Sequence, residues 1–123
     1  MKKISRAELS FFQGDLGFIK LPKDIKIPEN FKKLKPKNGK GLILAYGEVS
    51  GHTHRFEQSN DVDVYYNPNN GDERGYDEMI LFVKKPTILI HEEHDPVLLP
   101  IGVWKKWVQK EYNFEEEYRM VAD

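Results

Sequence analysis

The chain has 123 residues, no cysteine, and 19 Lys and Arg against 20 Asp and Glu, for a formal net charge of −1. That length suits one domain, residues 1–123, with a core of its own; the missing cysteines exclude disulfides and thiolate metal sites, leaving nitrogen and oxygen ligands for any metal. No segment approaches the roughly 20 apolar residues of a membrane span, and Met1-Lys2-Lys3-Ile4-Ser5-Arg6 leads into no apolar stretch, so we expect a cytoplasmic protein without a membrane partner.

Short apolar runs separated by turn residues follow along the chain. Leu16 to Leu21 reads as a strand, led in by Gln13-Gly14-Asp15 and stopped by Pro22. Pro22 to Gly41 is a long basic connection with an extended piece at Ile25 to Ile27. Residues 1–40 carry eleven Lys and Arg against four Asp and Glu, whereas residues 41–123 carry eight against sixteen. Lys32, Lys33, Lys35, Lys37 and Lys40 could meet nucleic acid or an acidic partner, but no aromatic residue is interleaved to stack a base, which favours a solvated loop.

Gly41 to Tyr46 is apolar and too short for a buried helix, so a buried strand is expected. Val62 to Tyr66 alternates as a strand, and the Asn67-Pro68-Asn69-Asn70-Gly71-Asp72 run, within the polar stretch from Asn60 to Gly75, reads as a turn or loop. Met79 to Val83 and Thr87 to Ile90 are further apolar strands. Val97 to Leu99 and Val103 to Tyr112 are strands joined by the turn Pro100-Ile101-Gly102. Asn113 could cap a short C-terminal helix over Phe114 to Arg119. The sum is an all-β domain, mainly antiparallel, built as a small sandwich or barrel. Its exposed strand edges could support a homodimer. Tyr65, Tyr66, Trp104 and Trp107 could line a pocket, although strand aromatics more often pack.

All four histidines fall in two clusters, Gly51-His52-Thr53-His54-Arg55 and His91-Glu92-Glu93-His94-Asp95. On a strand, His52 and His54 would share a face, with Glu57 of opposite parity. His91 closes an apolar strand, and His94 can join it only if the chain bends before Pro96. A single strand-end histidine is usually a surface or hydrogen-bonded residue, or part of a pH response. Two clusters that use every histidine point instead to a shared site, with His52, His54, His91 and His94 as metal ligands. Zinc suits four imidazoles, and iron, manganese or nickel would suit three with a carboxylate or water. In an enzyme, Glu92 or Glu93 would serve as general base to a metal-bound water, and Arg55 could hold a phosphate or carboxylate.

Two resemblances arise at these residues. His52-Thr53-His54 followed by Pro100-Ile101-Gly102 resembles the cupin superfamily, whose small barrels bind a metal through two histidines, a glutamate and a later histidine. Only His52 and His54 carry over. Glu57 follows His54 too closely, and Val103, Trp104 and Lys105 stand where a cupin has its last histidine. Over most of its length the chain is similar to a family of small, largely uncharacterised bacterial and bacteriophage proteins. The shared motifs are Gln13-Gly14-Asp15, Gly47 to His54, His91 to Pro96, Leu99 to Gly102 and Gln109-Lys110-Glu111-Tyr112. That resemblance implies a cytoplasmic protein of phage or prophage type and brings no activity with it.

The leading expectation is thus a metal-binding β-domain whose histidine cluster holds a structural or ligand-binding ion. A metal-dependent hydrolase or nuclease with a metal-activated water is the first alternative. A metal-free module for nucleic acid or protein interaction is the second.

Overall fold

β-branched, leucine and aromatic residues in short runs between Gly, Pro, Asn and Asp cannot sustain helices, and they become strands in the computed structural model, which describes residues 4–37, 39–47, 51–72 and 74–109. The strands are β1 (Ser5–Arg6), β2 (Ser10–Gln13), β3 (Leu16–Leu21), β4 (Lys32–Lys33), β5 (Leu42–Tyr46), β6 (Thr53–Phe56) and β7 (Val62–Tyr66). They continue with β8 (Gly71–Asp72), β9 (Gly75–Tyr76), β10 (Met79–Val83), β11 (Thr87–Ile90), β12 (Val97–Leu99) and β13 (Gly102–Val108). One sheet runs β1-β12-β11-β6-β5, the second β2-β3-β13-β10-β7-β4, and β8 and β9 form a small ribbon. The β1–β12 pair is parallel; the other strand pairs are antiparallel. No helix among the described residues is long and apolar enough to cross a membrane.

One core joins the two large sheets. Leu42, Leu44, Phe56, Leu89, Val97 and Leu99 enter it from the first sheet. Leu16, Phe18, Val62, Val64, Met79, Leu81 and Trp104 enter it from the second. β13 lies between β3 and β10, and its Trp104 is fully buried. Deep burial of large side chains from both faces makes the domain a two-sheet sandwich.

The expected strands at Leu16 to Leu21, Val62 to Tyr66, Met79 to Val83, Thr87 to Ile90 and Val97 to Leu99 all form. Three stretches differ from expectation. Ser10–Gln13 is itself a strand, pairing with β3 so that Gln13 faces Leu16 and Gly14-Asp15 becomes a two-residue hairpin loop. The long basic connection contains β4, whose Lys32 and Lys33 pair with Tyr66 and Tyr65. The Asn67 to Asp72 run turns at Pro68 to Asn70 as expected but ends in β8, which pairs with β9. In each case pairing to a partner strand, adjacent in the chain for β2 and β8 and distant for β4, supplies hydrogen bonds that local composition does not reveal. The C-terminal helix expected after Asn113 lies outside the described residues.

The aromatic residues pack against one another, as strand aromatics usually do. Tyr66 stacks on Tyr76 at 4.2 Å, Tyr65 meets Phe82 edge-on at 5.9 Å, and Trp107 meets Phe12 edge-on at 5.9 Å. The lysine cluster is divided. Lys33 lies 3.5 Å from Asp63 on the sheet edge, whereas Lys37 and Lys40 border an open cavity.

Candidate functional site

Register brings the two histidine clusters together. β6 and β11 pair Phe56 with Leu89 and Arg55 with Ile90, so one further step sets His54 across from His91. Their ring centroids are 4.3 Å apart. On its other side His54 faces the small Ala45, after a register shift in β5 between Ile43 and Ala45. The chain bends over Glu92 to His94. That bend returns the His94 ring to 4.6 Å from His91 and 5.8 Å from His54. His52, one residue before β6, meets His91 edge-on at 5.7 Å. The four imidazole rings thus lie near one another, with His91 beside the other three.

The tip of the β2–β3 hairpin reaches this cluster from the opposite sheet. A two-residue hairpin loop with Gly first suits φ > 0, and Gly14 has φ 60°. The same glycine makes room for a ring: a Cβ there would sit 2.6 Å from His94 Nε2 and 3.3 Å from His54 Cε1. Next to it, Asp15 Oδ1 is 3.9 Å from His54 Nε2.

Gln13 fixes the proton on His54. Its side chain is 2 % exposed, and its amide nitrogen donates to Leu89 O at 2.9 Å and Asp95 O at 3.0 Å. Both amide hydrogens are thereby used, so Oε1 must face His54 Nδ1, 2.8 Å away, and accept from it. His54 then carries its proton on Nδ1 and presents a bare lone pair at Nε2. A ligand histidine is held in just this way, its second nitrogen donating to a fixed oxygen.

His91 has the opposite arrangement. Its Nδ1 accepts the Glu93 backbone N–H at 3.0 Å, so the neutral ring carries its proton on Nε2. That nitrogen lies against Gly47, 3.3 Å from where a Cβ would be. Burial, then the charges of His91, His94 and Lys106, hold His54 down to about 3, with Glu92 opposing. Burial and then His94 also lower His91, against the pull of Glu92.

The carboxylates of the second cluster have separate tasks. Glu92 accepts from Thr53 N at 2.8 Å and from Arg55 Nη1. Arg55 also donates to Thr53 O at 3.1 Å and to Thr53 Oγ1 at 3.0 Å. Burial alone would raise Glu92; the Thr53 N–H and the Arg55 guanidinium outweigh it and bring the carboxyl to about 2. So held, Glu92 is a weak proton acceptor, and the anion that Arg55 grips is the protein's own. Glu93 Oε1 lies 3.6 Å from His52 Nδ1. Glu57 borders an open cavity of about 860 Å³ together with Lys37, Lys40, His52, Arg55, Arg74 and Glu92. A second open cavity, of about 550 Å³, lies beside the hairpin tip and is bordered by Phe11, Phe12, Gln13, Gly14, His94 and Asp95.

Among the described residues, no three His, Asp or Glu side chains already stand close enough together to hold a metal ion. What the structure adds is Gln13 and Asp15, which sequence reasoning placed only in a turn. The signal was present in the Gln-Gly-Asp motif, but its partners lie on the other sheet. Lys106 was missed as well. It is fully buried, donates to Tyr76 O at 2.5 Å, and is pulled down to about 8 by burial, with Asp77 and Asp15 opposing. Strand parity with Trp104 would have placed it inside.

The fold and the site define a two-sheet β-domain with an imidazole cluster at the seam between its sheets. The chain belongs to a family described as a domain of unknown function (DUF8820), whose model matches residues 12–109. No curated protein and no solved structure matched it.

Proposed function

We propose that this is a metal-binding β-domain that holds one divalent ion at the histidine cluster, with His54 and His94 as ligands. One observation carries the reading: the buried Gln13 amide spends both hydrogens on carbonyls and leaves His54 with a lone pair at Nε2. That lone pair lies among the His91 and His94 rings beside the hairpin tip. A ring whose other nitrogen donates to a fixed oxygen has its tautomer and orientation set as in metal-ligating histidines. Zinc is the first candidate, and iron, manganese or nickel fit the same nitrogen and oxygen donors.

The ring spacings agree with this. With metal–nitrogen bonds of about 2.0–2.1 Å, the rings of two imidazoles on one tetrahedral ion have centroids about 5 Å apart. The His54 and His94 centroids are 5.8 Å apart. A hydrolase or nuclease reading finds less support, because Glu92 is clamped by Thr53 and Arg55.

The test is elemental analysis of untagged protein, followed by chelator stripping and reloading with Zn²⁺. One equivalent should be retained by the wild type and lost in His54→Ala. A wild type that carries no stoichiometric metal and takes none up would sink the reading.

A second reading has its own observation, the cavity of about 860 Å³ where Lys37, Lys40 and Arg74 stand as cations beside Glu57 and the Arg55–Glu92 pair. These cations suit an anionic ligand such as a nucleic acid. Binding of a fluorescent single-stranded oligonucleotide should then weaken with salt and with Lys37→Ala plus Lys40→Ala, and should ignore chelator. An oligonucleotide affinity that survives both changes would count against it.

A further inference from the structure

We infer that Asp15, and not His91, supplies the third protein ligand, so that the ion sits over Gly14 in a set of two histidines and one carboxylate: His54, His94 and Asp15. This rests on the metal-binding reading above and makes it specific.

The hairpin tip provides the geometry. His94 Nε2 and His54 Cε1 both lie over the bare Cα of Gly14, at 2.6 and 3.3 Å from where a Cβ would be. Asp15 is the next residue, and its Oδ1 is 3.9 Å from the lone-pair nitrogen of His54. Two ligands on one tetrahedral ion, at bonds of about 2.0–2.1 Å, stand about 3.3 Å apart. Closing the difference asks for a movement of about 0.6 Å, and the Asp15 side chain is 67 % exposed and can turn to make it.

His91 is the nearer ring and the worse ligand. Its Nδ1 lone pair already accepts the Glu93 N–H, which leaves the proton on Nε2. To bind an ion through Nδ1 it would have to give up that hydrogen bond, and through Nε2 it would have to change tautomer as well. His54 needs neither, because Gln13 has already placed its proton.

Charge supports the same set. Two neutral imidazoles and a carboxylate partly balance a divalent cation, and three protein ligands leave coordination positions open. The cavity of about 550 Å³ bordered by Phe11, Phe12, Gly14 and His94 adjoins these residues, so an outside ligand could reach the ion from there.

The test uses Co²⁺ with the full chain, read by its visible absorption and by competition titration, for the wild type, Asp15→Asn, Asp15→Glu and His91→Asn. Thermal melts of the metal-free proteins confirm that each variant folds. Removing a neighbour that only orients a ligand costs about 10 to 100-fold in metal affinity, so losing a true ligand should cost at least about 100-fold. Asp15→Asn should show that loss with a changed Co²⁺ spectrum, Asp15→Glu should recover part of it, and His91→Asn should stay within about tenfold of the wild type. If Asp15→Asn keeps its affinity, or His91→Asn loses the ion, the assignment is overturned while metal binding stands. If the wild type binds no Co²⁺ or Zn²⁺ at all, both fall together.

Discussion

Replacing Gln13 by Met tests the keystone of the site. Methionine keeps the length and apolar bulk of the side chain and removes three hydrogen bonds: those to Leu89 O, Asp95 O and His54 Nδ1. A buried hydrogen bond contributes about 0.5–1.5 kcal/mol net, so the three together are worth about 3 kcal/mol. The loss is concentrated because Gln13 links the β2–β3 hairpin of one sheet to β11 and the segment before β12 of the other. Domains of this size have stabilities of about 5–15 kcal/mol, so the variant should still fold. In urea, with an m-value of about 1.5–2 kcal/mol/M, the midpoint should fall by about 1.5–2 M without a change in slope. Long-range ¹⁵N NMR of the imidazoles gives a second readout: His54 should be the Nδ1–H tautomer in the wild type and should lose that preference in Gln13→Met. A midpoint shift below about 0.3 M, or an unchanged Nδ1–H tautomer, would refute the argument that Gln13 sets the state of His54.

Other substitutions probe separate parts of the fold. Gly14→Ala forces a left-handed φ on an L side chain and drives a Cβ toward His94 Nε2; denaturant melts should show a loss of about 1–2 kcal/mol from the backbone alone, and metal titration a weakened site. Gly17→Ala places a Cβ 2.4 Å from the Trp107 ring, so Trp107 must leave its contact with Phe12, at a cost of about 1–3 kcal/mol in the same melts. Lys106 gives a pH signature. Its folded value of about 8 lies below the ordinary 10.5, so between these pH values the unfolded chain binds more protons and stability should rise with pH. Below about pH 8 the lysine is charged in both states and its full burial cost is present. Lys106→Met should therefore remove the rise, and equal pH slopes for wild type and variant from pH 8 to 10.5 would contradict a buried lysine.

Much of the fold was legible because it depends on local composition. Runs such as Thr87-Ile88-Leu89-Ile90 are too short for helices and too apolar for loops, and they become strands close to their expected limits. The histidine clusters were legible too, since parity and the end of β11 are local facts. Strands β2, β4 and β8 were not. Ser10-Phe11-Phe12-Gln13 has no clear alternation, and Lys32-Lys33 and Gly71-Asp72 have no strand composition; each is a strand because a partner is there to pair with.

By itself, the sequence determined that this is an all-β domain with its imidazoles in two groups at strand ends, because side-chain period and turn chemistry act over a few residues. Only the tertiary structure decided which lone pairs remain. Gln13 is 41 residues from His54 and 76 from Leu89, and it is their meeting that puts the proton on Nδ1 of one ring, while a backbone N–H two residues away puts it on Nε2 of another. Tautomers follow hydrogen-bond partners, and those partners come from packing one sheet against the other.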